Sequence, residues 1–156
     1  MATLDIIIRL ILAAVLGGLI GFERETHGRA AGLRTHILVC TASALIMMVS
    51  IYISLATREI GICDPSRIAA GVITGLGFLG AGTILRFKAS IKGLTTAASL
   101  WTAGAIGLAI GVGFYKGACI ATILVLITLV FFSKLERKLS VKGWFKKLPA
   151  EEDEEV

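Results

Sequence analysis

The sequence predicts an all-α integral membrane protein: a bundle of five transmembrane helices, N-terminus outside and C-terminus in the cytoplasm, with Gly-rich central helices. Three observations carry this reading. Of the 156 residues, 56% are hydrophobic, and the mean hydropathy is +0.86, too apolar for a soluble domain of this size. The apolar residues stand in blocks close to the roughly 20 residues that cross the hydrocarbon core. Finally, Lys and Arg divide unevenly between alternate connections, which sets orientation.

The first span is expected from about Leu4 to Phe22, interrupted by Arg9. Arg9 can snorkel to the near interface and pair with Asp5 at i−4. Gly17 and Gly21 form a GxxxG pair, a signal for close helix contact. No basic region precedes this block, so no cleavable signal is expected. Residues 23–36, ERETHGRAAGLRTH, form the most polar connection. His27 and His36 lie there, and solvated or interfacial positions are the expectation for both.

The second span runs from about Ile37 to Ala56. Pro65, just ahead of Arg67, suits the start of the third, expected over about 68–85. This span holds GVITGLGFLGAGTILR at 71–86, with Gly71, Gly75, Gly77, Gly80 and Gly82. Each Gly costs roughly 1 kcal/mol against Ala in a helix interior. In lipid, however, the backbone must stay helical and small residues admit close neighbours. Gly71, Gly75 and Gly82 share one face; Ala70, Gly77 and Ala81 share another. A helix small on two faces suggests a central helix packed on both sides. A locally broken helix with carbonyls lining a polar site is the sharper alternative.

The connection at 86–93 carries Arg86, Lys88 and Lys92. The fourth span is expected over about 94–112. Thr95, Ser99 and Thr102 stack on one side of it, with Ala97, Gly104, Gly107 and Gly111 nearly opposite. The hydroxyls suit interhelical or i−4 back-bonding, or alternatively a polar lining for an ion. Trp101, near mid-span, is expected to be packed. The fifth span, about 118–133, reads as lipid-facing. Residues 1–133 therefore form one transmembrane domain. Residues 134–156 read as a basic, interfacial segment suited to anionic lipid, followed by an acidic tail.

With five spans, twelve Lys and Arg fall on one side and three on the other, which places the basic rims in the cytoplasm. Cys40, Cys63 and Cys119 show no ligand spacing and imply no disulfide framework. No Cys/His pair, metal-ligand cluster or phosphate loop is visible. The reading is therefore not an enzyme, with no catalytic residue, no metal, no cofactor and no nucleic-acid partner.

Three stretches keep a recognisable order and spacing: GGLIGFERETHGRAAGLRTH at 17–36, RIAAGVITGLGFLGAGTILR at 67–86 and KGLTTAASLWTAGAIGLAIGVG at 92–113. Together they resemble the membrane domain of the MgtC/SapB family, over about residues 10–129. The resemblance implies a multi-pass protein of the bacterial inner membrane, acting in adaptation to magnesium limitation and in cation or membrane-potential homeostasis. It also implies survival inside host cells for some members, and regulation of membrane ATPases. Glu23, Arg24, Arg34, Thr35, Arg67, Arg86, Thr95 and Thr96 match family motifs and are the candidate functional positions. Gly17, Gly21, Gly71, Gly75, Gly77, Gly80, Gly82, Gly104, Gly107 and Gly111 are the candidate packing positions.

Two departures matter. The family often has Gln where this chain has Gly71, so a polar role there is lost. Longer members carry a soluble C-terminal domain, and functions of that domain are not transferred to this chain. Glu23 is expected to pair with Arg34 or Arg86, as a staple between loops or as part of a basic cup for a phosphate, nucleotide or lipid headgroup. The favoured function is a regulatory protein that binds other membrane proteins, with a membrane ATPase or a second copy among the candidates. A cation or small-solute transporter is the alternative. Against Mg²⁺ transport stands the scarcity of carboxylates within the spans, since Mg²⁺ binds through oxygen ligands.

Overall fold

A computed structural model describes residues 2–59, 64–87 and 90–135. The expected basic segment and acidic tail from 136 onward, and Cys63, lie outside them. Five helices make up the described fold: α1 (Thr3–Thr26), α2 (Leu33–Ala56), α3 (Ser66–Ala81), α4 (Leu94–Val112) and α5 (Tyr115–Ile127). A π-helical turn, Thr128–Phe132, extends α5 into a continuous rod from Tyr115 to Leu135. Four of the rods are long and apolar enough to cross a membrane. The shorter α3, with 16 residues, is about 24 Å long at 1.5 Å per residue, against a hydrocarbon core of about 30 Å.

The third span thus stops at Ala81 rather than near residue 85. The chain turns there: the amide and the hydroxyl of Thr83 both donate to the Gly80 carbonyl, at 2.9 and 2.8 Å. Strands β1 (Leu85–Phe87) and β2 (Ser90–Lys92) follow as an antiparallel hairpin, with Arg86 opposite Ile91. Gly93, at φ 93°, then starts α4. A Cβ there would also run into the Thr83 carbonyl, so only Gly suits the position. At the other end, α4 closes with a Schellman motif. Gly113, at φ 91°, donates to Ile110 O at 2.9 Å, and Phe114 N donates to Ala109 O at 2.8 Å. This turn sends α5 back antiparallel to α4.

The bundle is built around α2 and α4, which run parallel. A Cβ on Gly17 of α1 would lie 2.7 Å from Cys40 Cβ, and one on Gly21 would lie 2.8 Å from Leu33 Cα. From the opposite side, a Cβ on Gly107 of α4 would meet Ser43 Cβ at 2.8 Å, and one on Gly111 would meet Met47 Cβ at 2.6 Å. Leu76 of α3 sits directly over Gly104. The small residues therefore let α2 touch helix backbones on two sides, as packing in lipid requires. Ile20, Leu100, Ile106 and Ile110 fill the remaining core and are almost fully buried.

The expectation that α3 is a central helix is corrected. Of its residues only Leu76 and Gly80 are buried. Among the described residues, no atom of another element lies within 4 Å of where a Cβ would stand on Gly71, Gly75 or Gly77, and the atoms near Gly82 belong to its own helix. Gly80 alone among these five meets another helix, at Ala97. Trp101 is likewise not packed: it is 44% exposed.

Candidate functional site

Two polar clusters close the two ends of the bundle. The first is organised by Glu23 and Arg24, in the last two turns of α1. Both are buried, at 7% and 2% exposure, and Arg24 Nε donates to Glu23 Oε2. Charges held this deep need a partner, because desolvation is strongly unfavourable to a lone ion. Glu23 Oε1 is buried and has no hydrogen-bond donor among the described residues. The nearby His27 Nδ1, at 3.2 Å, is engaged with the Glu23 main-chain carbonyl at 2.9 Å.

His36, in the first turn of α2, is completely buried. It stands against Gly21, two residues before Glu23; a Cβ on Gly21 would lie 3.0 Å from His36 Cβ. Its Nδ1 is 2.9 Å from Gly32 O and its Nε2 is 3.0 Å from Ser99 Oγ. A carbonyl only accepts, so Nδ1 carries the hydrogen in that contact. Ser99 Oγ also lies 2.9 Å from Thr96 O. The single Ser99 hydrogen serves either the Thr96 carbonyl or a neutral Nε2, but not both. A second proton on the ring would satisfy all three contacts at once. The arrangement ties α1, α2 and α4 together at this end and couples a hydroxyl to a ring nitrogen.

The loop between α1 and α2 is fastened by Glu25, whose carboxylate accepts the Leu33 amide at 2.8 Å. This contact caps the start of α2. At the far end of the bundle, Arg9 of α1 donates to Asp5 Oδ1 at 3.0 Å and to Gly111 O at 2.6 Å, and lies 5.8 Å from the Tyr115 ring centroid. Near that end Asp64, fully exposed, accepts from the amide and hydroxyl of Ser66 at 2.8 and 2.7 Å. These hydrogen bonds hold its carboxyl below the usual range.

Of the positions singled out from the sequence, Glu23, Arg24 and Thr96 are gathered around His36. Arg34, Arg67, Arg86 and Thr95 are exposed, and Thr35 is half-buried. The expected pairing of Glu23 with Arg34 or Arg86 is corrected: among the described residues it pairs with its neighbour Arg24 and lies beside His27. Residues one apart on a helix rarely face each other, but near the helix end the Arg24 guanidinium folds back onto Glu23. His36, expected in a solvated or interfacial position, is instead buried. A lone histidine carries no sequence pattern that marks this; the signal available was Gly21, whose missing side chain makes room for it. Within the hydroxyl stripe, Thr102 donates to Ala98 O at 2.8 Å on its own helix, whereas Ser99 meets both the Thr96 carbonyl and His36 of α2. Among the described residues, no three His, Cys, Asp or Glu side chains are grouped to hold a metal.

The sequence model of the MgtC family matches residues 10–138. The "Putative magnesium transporter YhiD" of Escherichia coli (strain K12) is 47% identical over 149 residues, covering 94% of this chain and 69% of that protein. "Protein MgtC" of Salmonella typhimurium (strain LT2) is 40% identical over 134 residues, covering 86% of this chain and 55% of the relative. "Protein SapB" of Bacillus subtilis (strain 168) is 39% identical over 138 residues, covering 86% and 60%. The chain thus spans between about half and about two-thirds of these relatives. No solved structure matches it.

Proposed function

This chain belongs to the MgtC family of membrane proteins, and on that premise we propose that it is a regulatory protein of the bacterial inner membrane that binds other membrane proteins during adaptation to magnesium limitation. The basic rims are assigned to the cytoplasm by the Lys and Arg count. One observation carries the reading: the face of α3 bearing Gly71 and Gly75 meets no other element among the described residues. The glycines of α1 and α4 show what such a face is for in this molecule, since Gly17, Gly21, Gly107 and Gly111 each receive a neighbouring backbone or Cβ. Small residues left open to lipid are the surface on which another helix packs most closely. A membrane ATPase is the class of partner that the family resemblance suggests, and a second copy is the simplest competitor.

Transport is the second reading, supported by the name of the Escherichia coli relative, a putative magnesium transporter. The described spans offer little for a divalent cation. Mg²⁺ needs several oxygen ligands, and the hydroxyls of Ser99 and Thr102 are directed to their own helix carbonyls. The test is in-cell photocrosslinking from Thr74, on the open side of α3, with mass spectrometry of the adducts. A specific membrane-protein adduct that disappears in Gly75→Leu is expected. Adducts with lipid alone, or adducts indifferent to Gly75→Leu, would overturn the proposal.

A further inference from the structure

Helices α4 and α5 pack side by side from their shared turn. On the α5 rod Ala118 and Thr122 are buried, and Leu129 is the next buried residue along it. Between those levels lies a groove of about 240 Å³, lined by Thr95, Ala98, Ser99 and Thr102 of α4 and by Leu124, Val125, Thr128 and Leu129 of the α5 rod. Thr95, Ala98, Leu124 and Thr128 are exposed, so the groove opens sideways, towards lipid. The π-helical turn begins at its wall, at Thr128, and inserts an extra residue per turn that swings Leu129 into the core.

The groove is apolar despite its hydroxyl residues. Ser99 donates to Thr96 O, Thr102 to Ala98 O and Thr128 to Leu124 O at 2.8–2.9 Å. Those oxygens are turned back onto the helices, and the lining of the space is largely apolar. The volume is below the range of roughly 300–1,000 Å³ typical for compact ligands, and suits a flexible hydrocarbon chain. Charge distinguishes one end. Lys92 lies two residues before α4 begins, and it is exposed. Lys134, also exposed, follows Leu129 by five residues along the antiparallel rod. Both lysines therefore stand at the Thr95 end of the groove, the side assigned to the cytoplasm.

We propose that this groove holds one acyl chain of an anionic phospholipid, whose phosphate is met by Lys92 and Lys134. The assignment is independent of the partner surface on α3. Cationic side chains near the membrane surface attract acidic headgroups, and each lysine is worth about fivefold in affinity at low salt.

The experiment uses the full chain purified in detergent, offered equal phosphatidylglycerol and phosphatidylcholine with matched chains, and read by native mass spectrometry. Retention of one phosphatidylglycerol in preference to phosphatidylcholine is expected. Ala98→Phe and Thr128→Phe, on opposite exposed walls, should abolish retention of either lipid without changing the melting temperature. Lys92→Gln with Lys134→Gln should remove the headgroup preference while leaving a bound lipid. A photoactivatable acyl chain should label residues 95–102 and 124–129. Equal retention of both lipids by the parent chain, retention unaffected by either Phe variant, or labelling spread evenly over all helices as for annular lipid would each overturn the proposal. So would labelling at the groove by a peptide from the chain's own C-terminal segment.

Discussion

Arg9, one and a half turns into α1, donates from Nη1 to the carbonyl oxygen of Gly111 at 2.6 Å, across the bundle in the last turn of α4. The same guanidinium is paired with Asp5 at 3.0 Å. A cation at a helix C-terminus complements the helix dipole as well as an orphan carbonyl. It is also a rare way to keep a charge within a span: the partners come from the start of the same helix and from the end of a distant one. Arg9→Met should lower stability in detergent by about 1.5–3 kcal/mol, the range for a hydrogen bond to a charged group. Arg9→Lys should recover part of it. Chemical unfolding of both variants checks this, and a fully stable Arg9→Met would show that the link is incidental.

The Glu23–Arg24 pair yields a sharper expectation. Removing one member of a buried ion pair leaves the other unpaired, at a cost of about 3–5 kcal/mol. Glu23→Ala should therefore reduce the melting temperature in detergent strongly. Glu23→Gln should fall between the two, because it keeps an acceptor for Arg24. Arg34→Ala and Arg86→Ala, at exposed positions, should leave the melting temperature nearly unchanged. An equal loss for Glu23→Ala and Arg34→Ala would contradict the observed pairing.

The contact between His36 and Ser99 can be measured as a coupling. Residues sharing a hydrogen bond show non-additive effects, and a net bond contributes about 0.5–1.5 kcal/mol. The double mutant His36→Ala with Ser99→Ala should be less destabilised than the sum of the singles by that amount. Additive effects would mean that the two side chains are neighbours without a bond.

Glycine substitutions separate contacts within the chain from contacts with a partner. Gly107→Ala places a methyl against the Cys40 carbonyl and Ser43 Cβ, and overpacking of this kind costs about 1–3 kcal/mol. Gly75→Ala meets nothing and should be neutral or slightly stabilising for the isolated chain, since Ala is the better helix former by about 1 kcal/mol. The larger Gly75→Leu should spare folding and abolish crosslinked complexes. Melting curves and crosslinking on the same three variants decide the matter. Complexes persisting in Gly75→Leu would move the partner surface elsewhere.

The helices were legible because their physics is carried by composition. The fourth span, expected over about 94–112, coincides with α4, whose ends are set by Gly93 and Gly113, both at positive φ. The short end of α3 was not legible. Apolar residues continue through Ile84 and Leu85 into β1, so hydropathy sees one block where the backbone turns at Thr83. The glycine faces were visible, but periodicity gives only that a face is small. It does not give whether a neighbour occupies it, and so Gly75 and Gly107 looked alike. The pairing of Glu23 was also hidden, because a loop partner and an adjacent residue are equally available in sequence. His36 became a central residue only through contacts 63 positions apart, with Ser99.

The transport question turns on where the hydroxyls point. A cation leaving water needs oxygens to replace its hydration shell, and Mg²⁺ gives up water reluctantly. Thr95, Ser99 and Thr102 form a hydroxyl stripe at helical spacing along α4. Ser99 and Thr102 already donate to carbonyls of α4, which leaves the intervening space apolar. The buried Glu23 carboxylate is engaged by Arg24, whose positive charge opposes a second cation beside it. Purified protein in liposomes should therefore give no Mg²⁺ flux above empty vesicles, with an internal fluorescent indicator as the readout. Saturable flux that is lost in Glu23→Gln would reverse this conclusion and place the cation at the end of the bundle that Arg24 now neutralises.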